Sequence, residues 1–367
     1  MTGQDRFRLG IIGFGIGKIY AASFLNVKTY YPRLPAVELV GIATSSEASA
    51  RAAVEHFGFP FATTDYRELL QRDDIDGLVI APPNYLHYPM LLDALQTDKA
   101  IYIDKPLTNT LEEAREVVRL ARERGRNAQM IFEMRFNPAL QYARELIQSG
   151  RLGQLYTFRA RYYRSSYTDP NKSLRWKASA EKSGTGVLGD LGAHVIDLVS
   201  WLVGQPEEVC AQLRTFIPQR PQGPVETDDH FILQANLPGG VFGTIEAGRL
   251  ITGAQNGIQV EVYGSEGSLR WDLEDPNHLY LADRRMPEAE RGWLKIPTMQ
   301  RYPDAALPGG DVPAGMVRFH IASAAAFIRS TVEGQPYEPD LIQGLRVQEV
   351  IDAACRSAAE KAWARVG

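Results

Sequence analysis

The sequence predicts an α/β protein with two domains. The first is an N-terminal domain with a doubly wound parallel sheet, and the second is a C-terminal α+β domain with a large, open and mostly antiparallel sheet. From residue 7 to about 132, short apolar runs alternate with segments of helical periodicity, which is the pattern of βαβ units. After about residue 150, alternating strand-like runs follow one another with few helices between them, as in antiparallel sheets.

Length and composition limit the classes of function. The 367 residues suffice for about two domains of ordinary size, and 44% hydrophobic with 23% charged residues is typical of a globular protein. The net charge of -4 and the lack of a basic stripe argue against a nucleic-acid partner. No apolar run approaches the roughly 20 residues of a membrane span, and no signal peptide is visible, so we expect a cytoplasmic location.

The first domain contains five predicted strands with helices between them. The first strand ends in glycine, and the helix at 111–124 has apolar residues spaced along one face. The predicted strands are 7–13, 37–43, 77–81, 100–104 and 128–132, and the predicted helices are 48–57, 88–96 and 111–124.

The pattern changes after a helix predicted near 138–148. We therefore place the boundary near residue 130, with domains at 1–130 and 131–367, and expect the final helix, 344–364, to pack back beside the boundary. Residues 283–313 are rich in Pro, Gly and charge, and we expect a surface excursion there. The predicted strands of the second domain are 154–163, 231–237, 241–247, 258–263 and 268–273, interrupted by helices at 190–202 and 319–332.

A glycine-rich turn follows the first predicted strand. In a strand-turn-helix unit, such glycines let backbone N–H groups approach a pyrophosphate, and the helix N-terminus adds a favourable partial charge. The alternative is a structural turn that uses glycine only for positive φ. The third glycine of the G-x-G-x-x-G pattern falls at Lys18, and Gly17 could take over its packing role. The turn consists of Gly13, Phe14, Gly15, Ile16 and Gly17.

The end of the second strand bears on the choice between NAD and NADP. An acid there would bind the ribose diol of NAD, whereas small polar or basic residues accept the 2′-phosphate of NADP. The chain has Thr44, Ser45 and Ser46 at the strand tip, and Arg51 follows nearby. Glu47 keeps NAD open as the cofactor, but the strand tip leans to NADP.

Three residues suggest acid–base chemistry at a carbinol. Lys105 follows a predicted strand, where it can reach a nicotinamide and hold the carbinol oxygen. Asp190 and His194 are four residues apart on one predicted helix, so the carboxylate can orient the imidazole, which titrates near neutrality. A structural role is the alternative for each residue. Two metal ligands would be another reading of the Asp–His pair, but no third ligand is apparent, and we expect no metal.

In this order, these residues resemble the glucose-fructose oxidoreductase/inositol dehydrogenase (Gfo/Idh/MocA) family over nearly the whole chain. The resemblance implies a Rossmann domain followed by an open mixed sheet, with a Lys/Asp/His set around the reacting carbinol. Besides the glycine turn, it rests on Ala81-Pro-Pro83-Asn84-Tyr-Leu-His87, Asp104-Lys105-Pro106 and Gly186-Val-Leu-Gly-Asp190-Leu-Gly-Ala-His194-Val-Ile-Asp197.

The family positions also imply further contacts to the cofactor. Pro83, Asn84 and His87 would line the path from adenine to nicotinamide, Asp104 and Lys105 would meet the nicotinamide ribose, and Trp176 the carboxamide region. Apart from the family, His87 would be a helix-start residue and Trp176 a core residue. Asp104 stands where the family prefers glutamate, and the shorter side chain could weaken the ribose contact.

On the substrate side, the resemblance implies contacts from Lys105, Arg135, Tyr163, Asp190 and His194. Arg135 could instead form an interdomain ion pair. Three further residues are weaker candidates: Tyr167 and Asp169, which follow Tyr163, and His320 at the start of a predicted helix.

The resemblance implies an NAD(P)-dependent oxidoreductase that moves hydride between nicotinamide and a secondary alcohol or ketone of a sugar, inositol or related polyol. Two alternatives stay open. One is a glycosidase or lyase that uses NAD for transient C3 oxidation, and the other is a non-catalytic dinucleotide sensor. A wide open sheet usually needs covering, so we expect a homodimer or homotetramer through the C-terminal sheet.

Overall fold

The computed structural model describes residues 5–299, 301–307 and 312–367. The described chain forms two compact units. The first comprises the described parts of 1–136, 302–309 and 315–345, and the second comprises those of 137–301, 310–314 and 346–367. The predicted boundary near residue 130 assigned all of 131–367 to the second domain. In the structure, the first unit also includes residues 131–136, 315–345 and the described part of 302–309.

The first unit contains a six-stranded parallel sheet in the order β3-β2-β1-β4-β5-β6. This order is that of a Rossmann sheet and confirms the predicted doubly wound fold. The strands are β1 (Arg6–Ile12), β2 (Ala36–Ala43), β3 (Ala62–Thr63), β4 (Gly77–Ile80), β5 (Ala100–Ile103) and β6 (Ala128–Met130). The helices are α1 (Gly17–Tyr30), α2 (Glu47–Phe57), α3 (Tyr66–Leu70), α4 (His87–Ala94) and α5 (Leu111–Glu123).

Local sequence accounts for these elements. Every residue of β4 and β5 is buried, which is why both strands are continuous apolar runs. Helix α5 begins at a capping box formed by Thr110 and Glu113 and buries the apolar face that its periodicity predicted.

A later helix, α9 (Val317–Glu333), belongs to the first unit because its apolar face packs on α1 and the sheet. Phe327 is fully buried, and its ring lies 6.0 Å or less from the rings of Phe7, Phe24, Tyr102 and Tyr337. Aromatic burial of this kind explains why a segment so distant in sequence joins the N-terminal fold.

The second unit is built on a nine-stranded sheet in the order β16-β15-β14-β13-β7-β12-β11-β8-β17. All neighbouring pairs are antiparallel except β7 and β12, so the predicted mostly antiparallel sheet is confirmed. The strands are β7 (Leu155–Tyr163), β8 (Glu208–Arg214), β9 (Gln219–Arg220), β10 (Gly223–Pro224), β11 (His230–Leu237), β12 (Val241–Gly248), β13 (Gly257–Gly264), β14 (Gly267–Asp272), β15 (His278–Asp283), β16 (Leu294–Pro297) and β17 (Ala364–Arg365), of which β9 and β10 form a separate pair.

The two faces of the large sheet differ. Along β7, Phe158, Ala160 and Tyr162 are buried, while Arg159 and Arg161 between them are exposed. Helices contact the buried face, and the other face carries mainly polar side chains. The helices of this unit are α6 (Pro138–Gln148), α7 (Ala180–Ser183) and α8 (Ala193–Leu202), and α10 (Leu341–Glu360) starts in the first unit and continues into the second.

Three details differ from the sequence predictions. The segment 283–313, expected to be an excursion, contributes β16 to the sheet, and its residues 300 and 308–311 lie outside the described chain. The helix predicted at 190–202 begins as a π-helical turn, Leu188–Gly192, before α8. The final helix ends at Glu360, and the chain then pairs as β17 with β8. Among the described residues, no helix has the length and apolarity needed to span a membrane.

Candidate functional site

In the first unit, the predicted cofactor residues follow the carboxyl ends of neighbouring strands. β1, β2, β4 and β5 are adjacent in the sheet, and the segments 13–17, 44–46, 83–87 and 104–105 come directly after them. Ligands of open α/β sheets bind at this edge, where the strand order reverses. The reversal lies between β1 and β4.

The glycine turn has the shape that a phosphate group needs. Gly13 has φ +96°, and a Cβ on it would lie 2.4 Å from the carbonyl oxygen of Ala81, so only glycine fits. A Cβ on Gly15 would have no atom within 4 Å, which leaves open space over the turn. Helix α1 begins at Gly17 with no side-chain cap and no acidic residue in its first turn. Open space beside an uncapped helix start fits a pyrophosphate.

The apolar residues of the turn have different surroundings. Phe14 is buried and packs edge-on against Phe57 at a ring distance of 6.1 Å, which anchors the turn to α2. Ile16 is exposed, and its carbonyl accepts a bond from the backbone of Ile19. Lys18, at the position of the missing third glycine, lies with Nζ 4.7 Å from the Phe14 ring.

The segment after β2 presents small polar side chains at the same edge. Thr44 is buried and donates to the carbonyl of Ser46, whose hydroxyl caps α2 by accepting from the backbone of Ser49. Ser45, Ser46, Glu47 and Arg51 are exposed. Glu47 and Arg51 are both on α2. The acid could bind a ribose diol and the base a 2′-phosphate, so this geometry accommodates either group.

His87 joins two of the loops at this edge. It is fully buried, with Nδ1 2.8 Å from the carbonyl oxygen of Pro106 and Nε2 3.2 Å from that of Pro82. Burial lowers the pKa of His87, although the nearby charge of Asp104 opposes the shift. A neutral imidazole carries one N–H, so it donates to one of these two carbonyls, while the ring lies between the Lys105-Pro106 corner and the loop after β4. In that loop, Pro83 and Asn84 are half-buried.

Asp104 and Lys105 are half-buried after β5. The Asp104 carboxylate accepts the backbone N–H of Lys105 at 2.8 Å, which turns it back on the corner. Arg135 is buried in a 3-10 helix, with its guanidinium carbon 5.9 Å from the ring of Phe132.

His320 is buried at the start of α9 and meets the ring of Tyr20 edge-on at 5.8 Å. Its Nδ1 has no hydrogen-bond partner among the described residues. Burial lowers the pKa of His320 to about 4, against the opposing charge of Asp104. His320 is therefore neutral at physiological pH.

In the second unit, the π-helical turn that carries Asp190 is held by Asp228. The buried Asp228 carboxylate accepts the backbone N–H groups of Gly186 at 2.7 Å and Leu188 at 2.8 Å. Burial raises the pKa of Asp228, while these two bonds oppose the shift. A Cβ on Gly186 would lie 1.8 Å from the Asp228 carbonyl oxygen, so the close contact requires glycine. π-Helical turns are frequent at functional sites.

Two cations contact Asp190. Its Oδ2 accepts bonds from Lys177 Nζ at 2.7 Å and from an Arg249 NH2 group at 3.1 Å. Trp176, next to Lys177, is half-buried, and Lys177 Nζ lies 5.5 Å from its ring. Motif reasoning missed Lys177, Arg249 and Asp228. Lys177 lies in a 3-10 helix next to Trp176, and that position gave a sequence signal that was not used. Arg249 follows β12 and Asp228 precedes β11, outside any recognisable motif.

His194 begins α8, half-buried, and its ring meets the ring of Tyr162 at 5.8 Å and 70°. The Tyr162 hydroxyl donates to Asn256 at 2.6 Å. Tyr163, the predicted substrate residue, lies on the opposite face of the sheet, near His230, and its pKa is raised to about 12 by partial burial and then by Glu246. Successive side chains of a strand alternate between faces, so Tyr162 rather than Tyr163 shares a face with His194. In the sequence, Phe158 and Ala160 alternate with Arg159 and Arg161, and this period of two could have placed Tyr162 on the apolar face of the strand.

The two weaker candidates after Tyr163 lie in the following loop. Tyr167 is half-buried under the guanidinium of Arg249, at 4.8 Å, and Asp169 is exposed, where it accepts the backbone N–H of Asn171. Within the described ranges, no group of three or more His, Cys, Asp or Glu residues could hold a metal ion.

Comparison with known proteins identifies the family. Residues 7–132 match an oxidoreductase family described by its NAD-binding Rossmann fold, and residues 144–366 match the C-terminal alpha/beta domain of the same family. The chain belongs to the Gfo/Idh/MocA oxidoreductase family. The predicted oxidoreductase class and dinucleotide-binding fold are thereby confirmed.

Relatives of the chain include sugar and inositol dehydrogenases. Levoglucosan dehydrogenase of Pseudarthrobacter phenanthrenivorans is 30% identical over 99% of both chains. A solved levoglucosan dehydrogenase complex with NADH and L-sorbose has a TM-score of 0.95 and 30% identity, covering 99% of this chain and 100% of that one. The scyllo-inositol 2-dehydrogenase (NADP(+)) of Bacillus subtilis is 26% identical over 97% of this chain and 95% of its own.

The space over the glycine turn predicts different effects for two alanine substitutions. Gly15→Ala should fold with wild-type stability, because its Cβ meets nothing, yet weaken NADH binding by occupying space that a pyrophosphate needs. Gly13→Ala should lower the free energy of unfolding, because its Cβ would clash with backbone. Denaturant titration and NADH fluorescence titration measure the two quantities. Wild-type affinity in Gly15→Ala would contradict the assignment.

The neutral burial of His320 predicts a pH-dependent stability. Its folded pKa of about 4 lies below the unfolded 6.5, so its contribution is complete above pH 6.5 and is lost as the pH falls through about 4. The loss is on the order of 3 kcal/mol. Between these pH values, His320→Phe should lose less unfolding free energy than the wild type. The exposed His56→Phe serves as control, and parallel curves for His320→Phe and wild type would refute the prediction.

Proposed function

We propose that the chain is a dehydrogenase or reductase that transfers hydride between NAD(P) and a secondary alcohol or ketone of a sugar, inositol or related polyol. The observation that supports the proposal is where the three residues that match the family's Lys/Asp/His set lie in their units. Lys105 follows β5 at the carboxyl edge that also carries the open glycine turn, whereas Asp190 lies on the π-helical turn before α8 and His194 in the first turn of α8.

The first unit supplies residues that fit a dinucleotide. Backbone N–H groups of 13–17 would hold the pyrophosphate, and Asn84, Asp104 and Lys105 would meet the nicotinamide end. The uncapped start of α1 and the space over Gly15 support this placement. When bound, the nicotinamide accepts or donates hydride at C4.

The side chains divide the acid–base work. The His194 imidazole takes the hydroxyl proton during oxidation and returns it during reduction, with Asp190 orienting the ring. The Lys105 ammonium group hydrogen-bonds the carbinol oxygen and stabilises the developing alkoxide. Arg135 and Trp176 are proposed contacts to substrate and carboxamide respectively. Tyr162, through its contact with the His194 ring, is a stronger candidate for a supporting role than Tyr163.

The 2′ end of the cofactor site favours acceptance of NADP. Ser45, Ser46 and Arg51 are exposed at the end of β2, where a 2′-phosphate would find hydroxyls and a cation. The relatives include one protein solved with NADH and another named for NADP(+). Glu47 at the same helix start would permit NAD as well.

We also propose that two or four copies associate through the polar face of the large sheet. Phe242 and Ile232 are exposed on this face, on neighbouring strands β12 and β11. Both side chains add apolar area to the sheet face opposite the helices, which is the face expected to be covered by another copy. In sedimentation velocity, the wild type should sediment as a dimer or tetramer and Phe242→Asp as a smaller species. A monomeric wild type would rule out the association.

The direct test of the enzyme is turnover with a panel of polyols. Levoglucosan, myo-inositol, scyllo-inositol and glucose 6-phosphate are offered with NAD⁺ or NADP⁺, and the reduced nicotinamide is followed by its ultraviolet absorbance. We expect turnover of at least one. Lys105→Met should lower kcat by about 100-fold or more while the protein stays folded, since it removes the positive charge that stabilises the developing alkoxide.

Lys99→Met is the matched control for Lys105→Met. Lys99 immediately precedes the same strand, β5, at its opposite end, where it donates to the carbonyl of Arg72. It should keep wild-type kcat. Release of a leaving group without accumulated reduced cofactor would instead support the glycosidase or lyase, and binding without turnover the sensor. The named dehydrogenase relatives favour neither alternative.

A further inference from the structure

A partly buried ion cluster surrounds the carboxylate of Asp190. Lys177 Nζ and Arg249 both donate to its Oδ2, at 2.7 and 3.1 Å. We propose that Arg249 and Lys177 are positioning residues for the hydride transfer, holding Asp190 ionised and in one orientation on the π-helical turn before α8. This inference rests on the proposed function.

Burial makes Arg249 the stronger of the two. Its side chain is 3% exposed, against 28% for Lys177. A guanidinium keeps its proton at any pH of interest, and a buried charge without a counter-ion is strongly unfavourable. Protonation of Asp190 would leave Arg249 in that state. The carboxylate therefore stays charged.

The neighbouring acid does not replace Asp190. One oxygen of Asp228 accepts the backbone N–H of Gly186 just before the π-helical turn, and the other accepts that of Leu188 at its start. The charge of Asp228 acts on Arg249 only from a distance. Asp190 is in direct contact with the guanidinium, which also lies 4.8 Å from the ring of Tyr167. The cation is thus held between an aromatic face and one carboxylate.

One short segment, 227–229, anchors all parts of the cluster. The Thr227 hydroxyl donates to the carbonyl of Lys177, Asp228 binds the π-helical turn, and the carbonyl of Asp229 accepts the backbone N–H of Arg249. The two cations and the turn therefore have a common support. Removal of either cationic side chain is therefore expected to move the Asp190 carboxylate while the backbone pairing of the sheet is kept.

The arrangement separates two roles that an acid near a histidine can have. A carboxylate that stays charged does not deliver a proton to the substrate. It orients the imidazole and stabilises the imidazolium that forms when His194 takes the hydroxyl proton. Proton transfer then belongs to His194, and Arg249 and Lys177 act through Asp190.

The experiment compares Arg249→Met, Arg249→Lys and Lys177→Met in the full-length protein, using the panel compound that the wild type turns over fastest. Arg249→Met should lower kcat by about 100-fold, the effect of a reacting group misplaced by ~1 Å. The KM for the dinucleotide should not change, since its proposed phosphate contacts belong to the first unit. Arg249→Lys should recover much of the loss, and Lys177→Met should cost less because Lys177 is more exposed.

Lys172→Met is the matched control for Lys177→Met. Lys172 lies over the Tyr167 ring at 4.8 Å, and its Nζ donates to the carbonyl of Ser166 rather than to Asp190. It should keep wild-type kcat. Wild-type kcat in Arg249→Met, or equal losses in Lys172→Met and Lys177→Met, would overturn the proposal. If thermal melting shows that Arg249→Met does not fold, the two lysine variants decide.

A failure of the proposed function would be recognisable separately. If the wild type turns over no panel compound, hydride transfer to these polyols is wrong. The positioning role is then tested by crystal structures of the wild type and Arg249→Met. An Asp190 carboxylate that keeps its position in the variant would refute it, and a displaced carboxylate would support it.

Discussion

In each of the two units, one glycine lets two backbone segments come closer than any side chain would permit. These glycines are Gly13 and Gly186, and the proposed site residues of each unit depend on the contact that its glycine allows. In the first unit, the turn after β1 passes directly against the carbonyl of Ala81. In the second, the turn before Asp190 passes against the carbonyl of Asp228. In each unit, the close approach brings a functional loop against the end of a neighbouring segment, and a Cβ would separate them.

Around the turn that follows Gly186, the charged side chains determine which residue pairs with Arg249. Burial of Arg249 and Asp228 leaves few ways to arrange two acids and two cations around the π-helical turn. Asp228 uses both oxygens on backbone N–H groups, which leaves Asp190 to pair with Arg249 and Lys177. Such a cluster favours one geometry, because any other leaves a buried charge without a partner.

Much of the first unit could be predicted from local pattern. The predicted runs 77–81 and 100–104 correspond to β4 and β5, and 111–124 corresponds to α5. These elements are buried on both faces or strongly amphipathic, so periodicity alone indicates them. The glycine turn, Lys105, Asp190 and His194 were accessible for a related reason, since they lie in short contiguous motifs. The chain order of those motifs indicated the family that the comparisons show.

The errors arose where non-local packing decides. α9 joins the first unit through the aromatic cluster around Phe327, and β16 joins the sheet by pairing with β15. In both cases the contacting residues are separated in the chain, so periodicity within a short segment does not reveal the contact. The choice between Tyr162 and Tyr163 depends on which face of β7 the helices cover.

By itself, the sequence determined the fold class and the family, because these follow from periodicity and from motifs a few residues long. The same motifs supplied Lys105, Asp190 and His194 as the proposed acid–base residues. Only the tertiary structure decided that His87 joins two loops, that Tyr162 faces His194, and that Arg249 and Lys177 hold Asp190. The physical reason is that hydrogen bonds and ion pairs of this kind join segments far apart in the chain. Their partners are selected by burial and distance, which appear only once the chain has folded.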